Sequence, residues 1–434
     1  MAKLERFERG DSSVVGANQF MNVERIADVA GLQALEPAWS SLHAGNPFLS
    51  PEWLSTWWEY YGQAAQARHG FDLCVLKVTD DDGRVAAIAP WYLQSNPIRG
   101  RVLSFLGAGD VCSEYLSVVC RSGCETSVAR ALSGWLLDAP ARTSNGARTG
   151  DHWDQLSLAN VAADDAVMRK LAEELEARGA LVSSRSGPAC WRIELPATRD
   201  EYFAILSRSH RKELRWCERK YFDTGLARLH TVLDASALVP TLERLTAFHR
   251  QRFPQSCFLQ NRFAGFHRAV LPRLLASGRL RLHWLELEGH CVAVEYHLQG
   301  DQTVYAYQSG IDVGALRHGP GRLAGLAVID RALREGFRTY DLLRGDEAYK
   351  RHWRATPRAN VDFRIHRPTA SGKLRHVAHE TLDRAKAWLR QRVRPDVRPM
   401  KSDSAESKPS VHCTAPTSDV AEAELAQPSQ RVNL

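Results

Sequence analysis

The chain has 434 residues, 44% hydrophobic and 25% charged, an ordinary composition for a soluble globular protein of two or three domains. No apolar run reaches the length of a membrane span, and the net charge of +7 allows an anionic ligand or surface without requiring one. The nine cysteines include no CxxC pair, which argues for reduced thiols and against a zinc or thioredoxin-like motif.

In chain order, residues 1–20 read as a flexible lead-in. Their MAKLERFERGDSSVVG has no apolar centre of a secretion signal, so a cytoplasmic location is expected. Around Phe48, PFLSPEWLSTWWEYYG precedes DLCVLKVTDDDGRVAAIAPWYL. This is a Phe-Leu pair, an aromatic-bearing helix and a hairpin turning at Asp82-Gly83. The same plan returns around Phe258 in CFLQNRFAGFHRAVLPRLLASG and RLRLHWLELEGHCVAVEYHL, which turns near Glu288-Gly289. An offset of about 210 residues is too long for a solenoid repeat, so the pattern predicts a duplicated domain. The boundary falls near Pro188–Leu195, giving domains at 21–190 and 191–370.

Between the repeats lies SRSHRKELRWCERKYFDTG, the most basic stretch. On a helix, Arg208, Arg211, Arg215 and Arg219 share one face, and Leu214, Cys217 and Tyr221 another. That stripe fits nucleic acid, an anionic sugar polymer, a lipid head group or coenzyme phosphates; it equally fits a solvated helix joining two domains. The lack of further aromatic-basic interleaving disfavours nucleic acid.

After the second hairpin, TVYAYQSGID alternates as a third strand, and GRLAGLAVIDRALREG makes a helix begun by Gly319-Pro320-Gly321. Glycines there let backbone N–H groups approach an anion, and Arg317, His318 and Arg322 add positive charge. The same residues also spell a plain helix start. No Walker lysine follows, and hairpins in place of βαβ units argue against a dinucleotide fingerprint.

The strand FRTYDLL then runs into RGDEAYKRHW, bringing Asp341, Arg344, Asp346, Glu347, Tyr349 and Lys350 together. Such a cluster suits general acid–base work, or else a helix cap with Asp346 and Lys350 paired four residues apart. Glu295, inside the apolar strand CVAVEYHL, is a second candidate base or a solvated carboxylate, sharing a face with His297. The scattered histidines form no HExxH pair and no GxSxG elbow occurs, so neither a metal site nor a serine hydrolase is expected.

KLRHVAHETLDRAKAWLRQRVR predicts an amphipathic basic helix over 371–396. It is expected to dock on the domain body, with a membrane-surface role as the other possibility. Residues 397–434, rich in Ser, Ala, Pro and Glu without aromatics, are expected to be disordered.

The words NPFLSPEWLSTWW, SHRKELRWCERKYFDTG, HGPGRLAGLAVIDRALREGF and YDLLRGDEAYKRHW occur in an order that resembles the GNAT acyltransferases, over roughly residues 22–370. In particular they resemble the bacterial cellulose-biosynthesis (CelD-like) acetyltransferases, relatives of the Fem transferases. The resemblance implies an α/β (α+β) fold of two tandem GNAT-like domains, with mixed sheets flanked by helices and the chemistry mainly in the second. It implies direct N- or O-acyl transfer from acetyl-CoA or another acyl-CoA, without metal, to an envelope, sugar, lipid-linked or amino-compound acceptor. By that resemblance Arg317, His318, Gly319, Gly321 and Arg322 would hold the donor's pyrophosphate, although Leu316 stands where the family pattern has Gln or Arg. Glu295, Asp341, Asp346, Glu347 and Tyr349 become catalytic candidates, Tyr349 as the acid for the departing thiolate; Arg344, Lys350 and Tyr307 become candidates for substrate binding. Fem relatives take aminoacyl-tRNA instead, and a catalytically silent binding protein of exopolysaccharide assembly is a further alternative.

Overall fold

A computed structural model describes residues 21–42, 45–63, 65, 70–138, 152–253 and 256–393. The expected lead-in (1–20) and tail (397–434) lie outside the described residues. The first half runs β1 (Asn22–Ile26), α1 (Val29–Leu42), α2 (Pro51–Trp57), β2 (Phe71–Thr79), β3 (Val85–Asn96), β4 (Gly100–Phe105), β5 (Val119–Cys120), α3 (Glu125–Asp138), β6 (Gln155–Ala162), α4 (Ala166–Ala177) and β7 (Leu181–Ser186). The second runs β8 (Cys190–Glu194), α5 (Arg199–Ile205), α6 (Arg208–Cys217), β9 (Ala227–Thr231), α7 (Leu238–Arg252), α8 (Asn261–Ala276), β10 (Leu280–Leu287), β11 (His290–Gln299), β12 (Thr303–Ile311), α9 (Pro320–Arg334), β13 (Thr339–Arg344), α10 (Ala348–His352), β14 (Thr356–Arg358), β15 (Asn360–His366) and α11 (Ala370–Val393).

Two mixed sheets result. The first is ordered β1-β2-β3-β4-β6-β15-β7, with β5 on β3; the second is β14-β8-β13-β12-β11-β10-β9. Each holds one parallel pair, β4 with β6 and β12 with β13, and in each a helix makes the crossover that a parallel pair requires. The two halves thus repeat one plan down to its details. A 3-10 turn (Pro47–Leu49 or Cys257–Leu259) is capped by the side chain of Asn46 or Ser256, then comes a helix, then an antiparallel hairpin.

The sequence boundary needs one correction. β15, placed with the second domain by its position in the chain, is hydrogen-bonded between β6 and β7 of the first sheet. The connections β7–β8 and β14–β15 therefore both cross from one sheet to the other, and the halves cannot be cut apart at one point in the sequence.

They are also joined by a continuous core. α2 packs on α8, where Trp53 meets Phe266 edge-on at 4.9 Å and donates its indole N–H to Ser113 Oγ at 2.9 Å. Phe48 meets Tyr305 at 5.8 Å and Tyr307 at 5.9 Å, so first-half aromatics sit directly on the second sheet. A separate cluster built from α5, α6 and α9 covers that sheet's other face. Because Trp53 is fully buried between the halves, Trp53→Ala should cost about 3–5 kcal/mol. Calorimetry should still show one transition, since the larger core runs through both halves and the first half has none apart from it; two resolved transitions would contradict this packing.

Candidate active site

The second sheet opens where its parallel strands part. β12 and β13 pair only over Thr303–Tyr305 and Thr339–Asp341, and then diverge toward their C-terminal ends. A cleft at the carboxyl ends of parting parallel strands is a common place for ligands in α/β sheets. The connection out of β12 forms one wall. Gly319 takes the left-handed conformation (φ 66°, ψ 53°), Pro320 starts α9, and no side chain caps the helix. The Gly321 Cα faces open space; among the described residues a Cβ there would meet Ile311 alone, at 3.9 Å. Arg322 and Leu323 N–H donate to Gly319 O and Pro320 has no N–H, so among the described residues it is the Gly321 amide at this end that can meet an anion.

Positive charge collects there. Tyr221, from the turn after α6, touches His318 at 3.2 Å, Arg317 donates to His318 at 2.9 Å, and Arg322 pairs with Glu213 of α6 at 2.8 Å. Leu214, Cys217 and Tyr221 are buried while Arg208, Arg215 and Arg219 are exposed, so α6 meets the glycine turn through Glu213 and Tyr221 and turns its basic stripe outward.

The other wall carries the polar cluster, which splits into inward and outward groups. Lys350 is buried and gives hydrogen bonds to the carbonyls of Leu343 (3.1 Å), Arg344 (2.8 Å) and Gly345 (3.1 Å), with Glu347 at 3.0 Å. Its three N–H groups are thus spent on pinning the loop, which leaves it little to offer a substrate. Asp346 is exposed and pairs with Arg351 at 2.7 Å. The pairing of Asp346 with Lys350 expected from spacing does not form, because Gly345 (φ 114°) turns the chain and α10 begins only at Ala348.

Glu295 and His297 lie together on one face of β11, with Glu295 Oε2 at 3.2 Å from His297 Nε2 and the Tyr340 hydroxyl at 3.3 Å from the same nitrogen. Burial pushes the Glu295 carboxyl up to about 8 and the His297 imidazole down to about 3. Burial, helped by the charges of Glu347 and Glu295, also raises the Tyr349 phenol above its ordinary value. Tyr307 lies elsewhere. Its hydroxyl donates to Val111 O at 2.8 Å and touches His267 at 3.2 Å, within the aromatic core between the halves.

Asp341 meets the first half. Tyr115 donates to Asp341 Oδ2 at 2.7 Å, and Leu343 N–H donates to Oδ1 at 2.8 Å. Buried Glu114 pairs with Arg344, and burial pushes it up to about 7 against the pull of that guanidinium. Asp341 rises to about 6, again through burial, opposed by its hydrogen bond from Tyr115. Arg358 stacks on Tyr115 at 4.6 Å and pairs with Asp164 at 2.8 Å. Among the buried polar atoms without a hydrogen-bond partner in the described residues, Arg344 Nη2, Asn360 Oδ1 and Arg358 Nε gather at this seam. Buried polar groups rarely go unpaired, so these atoms are candidate partners for a ligand. An open cleft beside it is lined by Asn46, Tyr115, Ser117, Asp164, Tyr305 and Arg358. A broader groove between α9 and β9 contains none of the candidate residues. Sequence reasoning missed Glu114, Tyr115, Arg358 and Asn360. The usable signal was the repeat itself, in which Gly107 and Gly109 follow the third strand of the first half as Gly319 and Gly321 follow that of the second.

Residues 208–351 match the family model described as Acetyltransferase (GNAT) domain. That span runs from the basic helix through the polar cluster. Among solved structures, FemX aligns at 12% identity and a TM-score of 0.54, over 79% of this chain and 96% of that one. The L-PGS of Bacillus licheniformis aligns at 11% identity and a TM-score of 0.45, over 81% of this chain and 95% of that one. A tandem GNAT protein from the clavulanic acid biosynthesis pathway aligns at 12% identity and a TM-score of 0.38, over 80% and 99%. At such identities the FemX likeness speaks for a shared fold alone. No curated protein sequence matches. Among the described residues, no helix is long and apolar enough to cross a membrane, and no group of three or more His, Cys, Asp or Glu could hold a metal ion.

Because the folded Glu295 value of about 8 lies above the ordinary 4.5, the native state holds this proton more tightly than the unfolded chain. Its contribution to stability is complete below the lower value and is lost as pH rises through the higher one. Glu295→Gln should therefore lose less melting temperature than wild type between about pH 5 and about pH 9. Parallel melting curves across that range would place Glu295 in contact with water.

Proposed function

We propose that the protein is an acyl-CoA-dependent N- or O-acyltransferase, with acetyl-CoA the first donor to test. The observation that carries this reading is the pairing of an open, cation-flanked helix start at Gly319–Gly321 with a buried carboxylate and phenol, Glu295 and Tyr349, inside the segment that matches the GNAT model. The donor's pyrophosphate would lie on the α9 amides, helped by Arg317, His318 and Arg322. An acceptor amine or hydroxyl would attack the thioester carbonyl and yield its proton to Glu295. The carbon–sulfur bond then breaks, and Tyr349 returns a proton to the thiolate, leaving acylated acceptor and free CoA. Asp341 acts as a positioning residue, fixed by Tyr115. Asp346 and Glu347 are the further candidate bases, on the rim and beside Lys350. Arg344 and Asn360 would meet an acidic or polyhydroxyl acceptor, such as an envelope sugar or lipid-linked precursor, and the cellulose-biosynthesis resemblance points the same way.

Aminoacyl-tRNA is the second donor to consider, because α6, the helix that contacts the same turn through Glu213, carries an exposed basic face. Calorimetric titration separates the readings: CoA and acetyl-CoA should bind wild type and tRNA should not. Gly321→Asp has room to fold, and its added negative charge should weaken CoA binding about tenfold. Binding of tRNA alone would favour the second donor, and binding of neither would favour a silent scaffold.

Turnover is read as CoA release across amine, amino-sugar and lipid-linked acceptors. Glu295→Gln and Tyr349→Phe should each lower it about 100-fold or more with CoA affinity kept. Wild-type turnover should rise with pH toward 8, as Glu295 ionises. Unchanged turnover in both variants would move the base to Glu347 or Asp346.

A further inference from the structure

α11 is amphipathic in the reverse sense from what a docking helix requires. Its contacts with the body come from its polar side. Arg375 donates to Asp154 at 2.7 Å, Arg364 donates to Asp383 at 2.8 Å, and Arg185 also pairs with Asp383. His379 touches His366 of β15 at 3.2 Å, and His376 stands with its ring 5.5 Å from the same residue. Positions 375, 376, 379 and 383 lie along one side of a helix. The apolar stripe faces away: Leu374 is 72% exposed, Val377 60%, Leu382 50% and Leu389 53%, with Trp388 half exposed among them. Ala378 and Ala385 fill the spaces between and are exposed as well.

The charges around this stripe are sorted by sign. Exposed Lys373 and Arg384 border it on one edge, and exposed Lys386 borders it on the other. The two acids, Glu380 and Asp383, lie toward the body. An apolar strip with cationic margins suits an interface that is oily inside and negative at its edge. A second copy of the helix would set like charges against like. Residues 394–434 have no Phe, Tyr or Trp and few large aliphatic side chains with which to cover the strip.

We propose that α11 seats the protein on an anionic lipid surface, the Leu374–Leu389 stripe entering the head-group boundary and Lys373, Arg384 and Lys386 meeting lipid phosphates. This goes beyond the acyltransferase reading and does not depend on it. It would hold the acceptor cleft close to lipid-linked substrates.

The test is co-flotation of the full chain with vesicles of phosphatidylcholine alone or mixed with phosphatidylglycerol, at low and high salt. Wild type should float with the anionic vesicles at low salt, weakly with the neutral ones, and less as salt rises. Leu374→Ser, Val377→Ser and Leu382→Ser combined should lower partition about tenfold or more. Lys373→Glu, Arg384→Glu and Lys386→Glu combined should abolish the anionic preference. Both variants change exposed side chains and should keep the wild-type melting temperature. Three results would overturn the proposal: no flotation of wild type with either vesicle, equal partition of both variants, or a wild-type dimer in solution that the serine variant dissolves.

Discussion

Two parallel strands that pair for three residues and then part set the terms for the rest of this structure. While β12 and β13 run together, their backbone groups satisfy one another. Once they separate, polar groups at the heart of the sheet must find other partners or cost stability. α9 begins at the mouth of the opening with its amides uncapped, and Lys350 reaches in to cap three carbonyls on the opposite lip. The opening is held apart by built contacts, and on the proposed reading an elongated acyl donor would lie there.

The first half closes one end of this opening. Where the second half turns sharply into α9 after its third strand, the first half sends out a loop bearing Glu114 and Tyr115. That loop reaches Arg344 and Asp341 of the second half. Three non-glycine residues with positive φ gather at this seam: Cys112 at 48°, Tyr115 at 55° and Leu343 at 54°. Such backbone costs roughly 1–3 kcal/mol per residue and persists only where surrounding contacts impose it. On the proposed reading the duplication supplies one donor turn, and the loop in its counterpart's place would shape the acceptor side.

Much of the fold could be read from local chemistry. Gly-Pro-Gly at 319–321 and Asp-Gly at 82–83 are strong punctuation, and the alternation in β11 and β12 placed both strands. What local chemistry could not supply was separation and register. Tyr115 and Asp341 are 226 residues apart, and no pattern short of a three-dimensional structure brings them together. A bulge between Tyr296 and His297 shifts the register of β12 beside Tyr307. β15 changes sheets because a strand's partner is set by tertiary packing and not by its own residues. Periodicity shows that α11 is amphipathic, but it cannot tell which side a helix turns to the body, and here ion pairs and histidines take the inner side.

The central claim is that the start of α9 holds the donor's phosphates. Hydrogen–deuterium exchange over residues 313–323, with and without CoA, reads it directly. The expected result is slowed exchange at Gly321, whose amide would gain a phosphate partner, with little change in β1 or α3; the Arg322 amide already donates to Gly319 O at 3.0 Å. Unaltered exchange at Gly321 under saturating CoA, with protection appearing in some other segment, would contradict it.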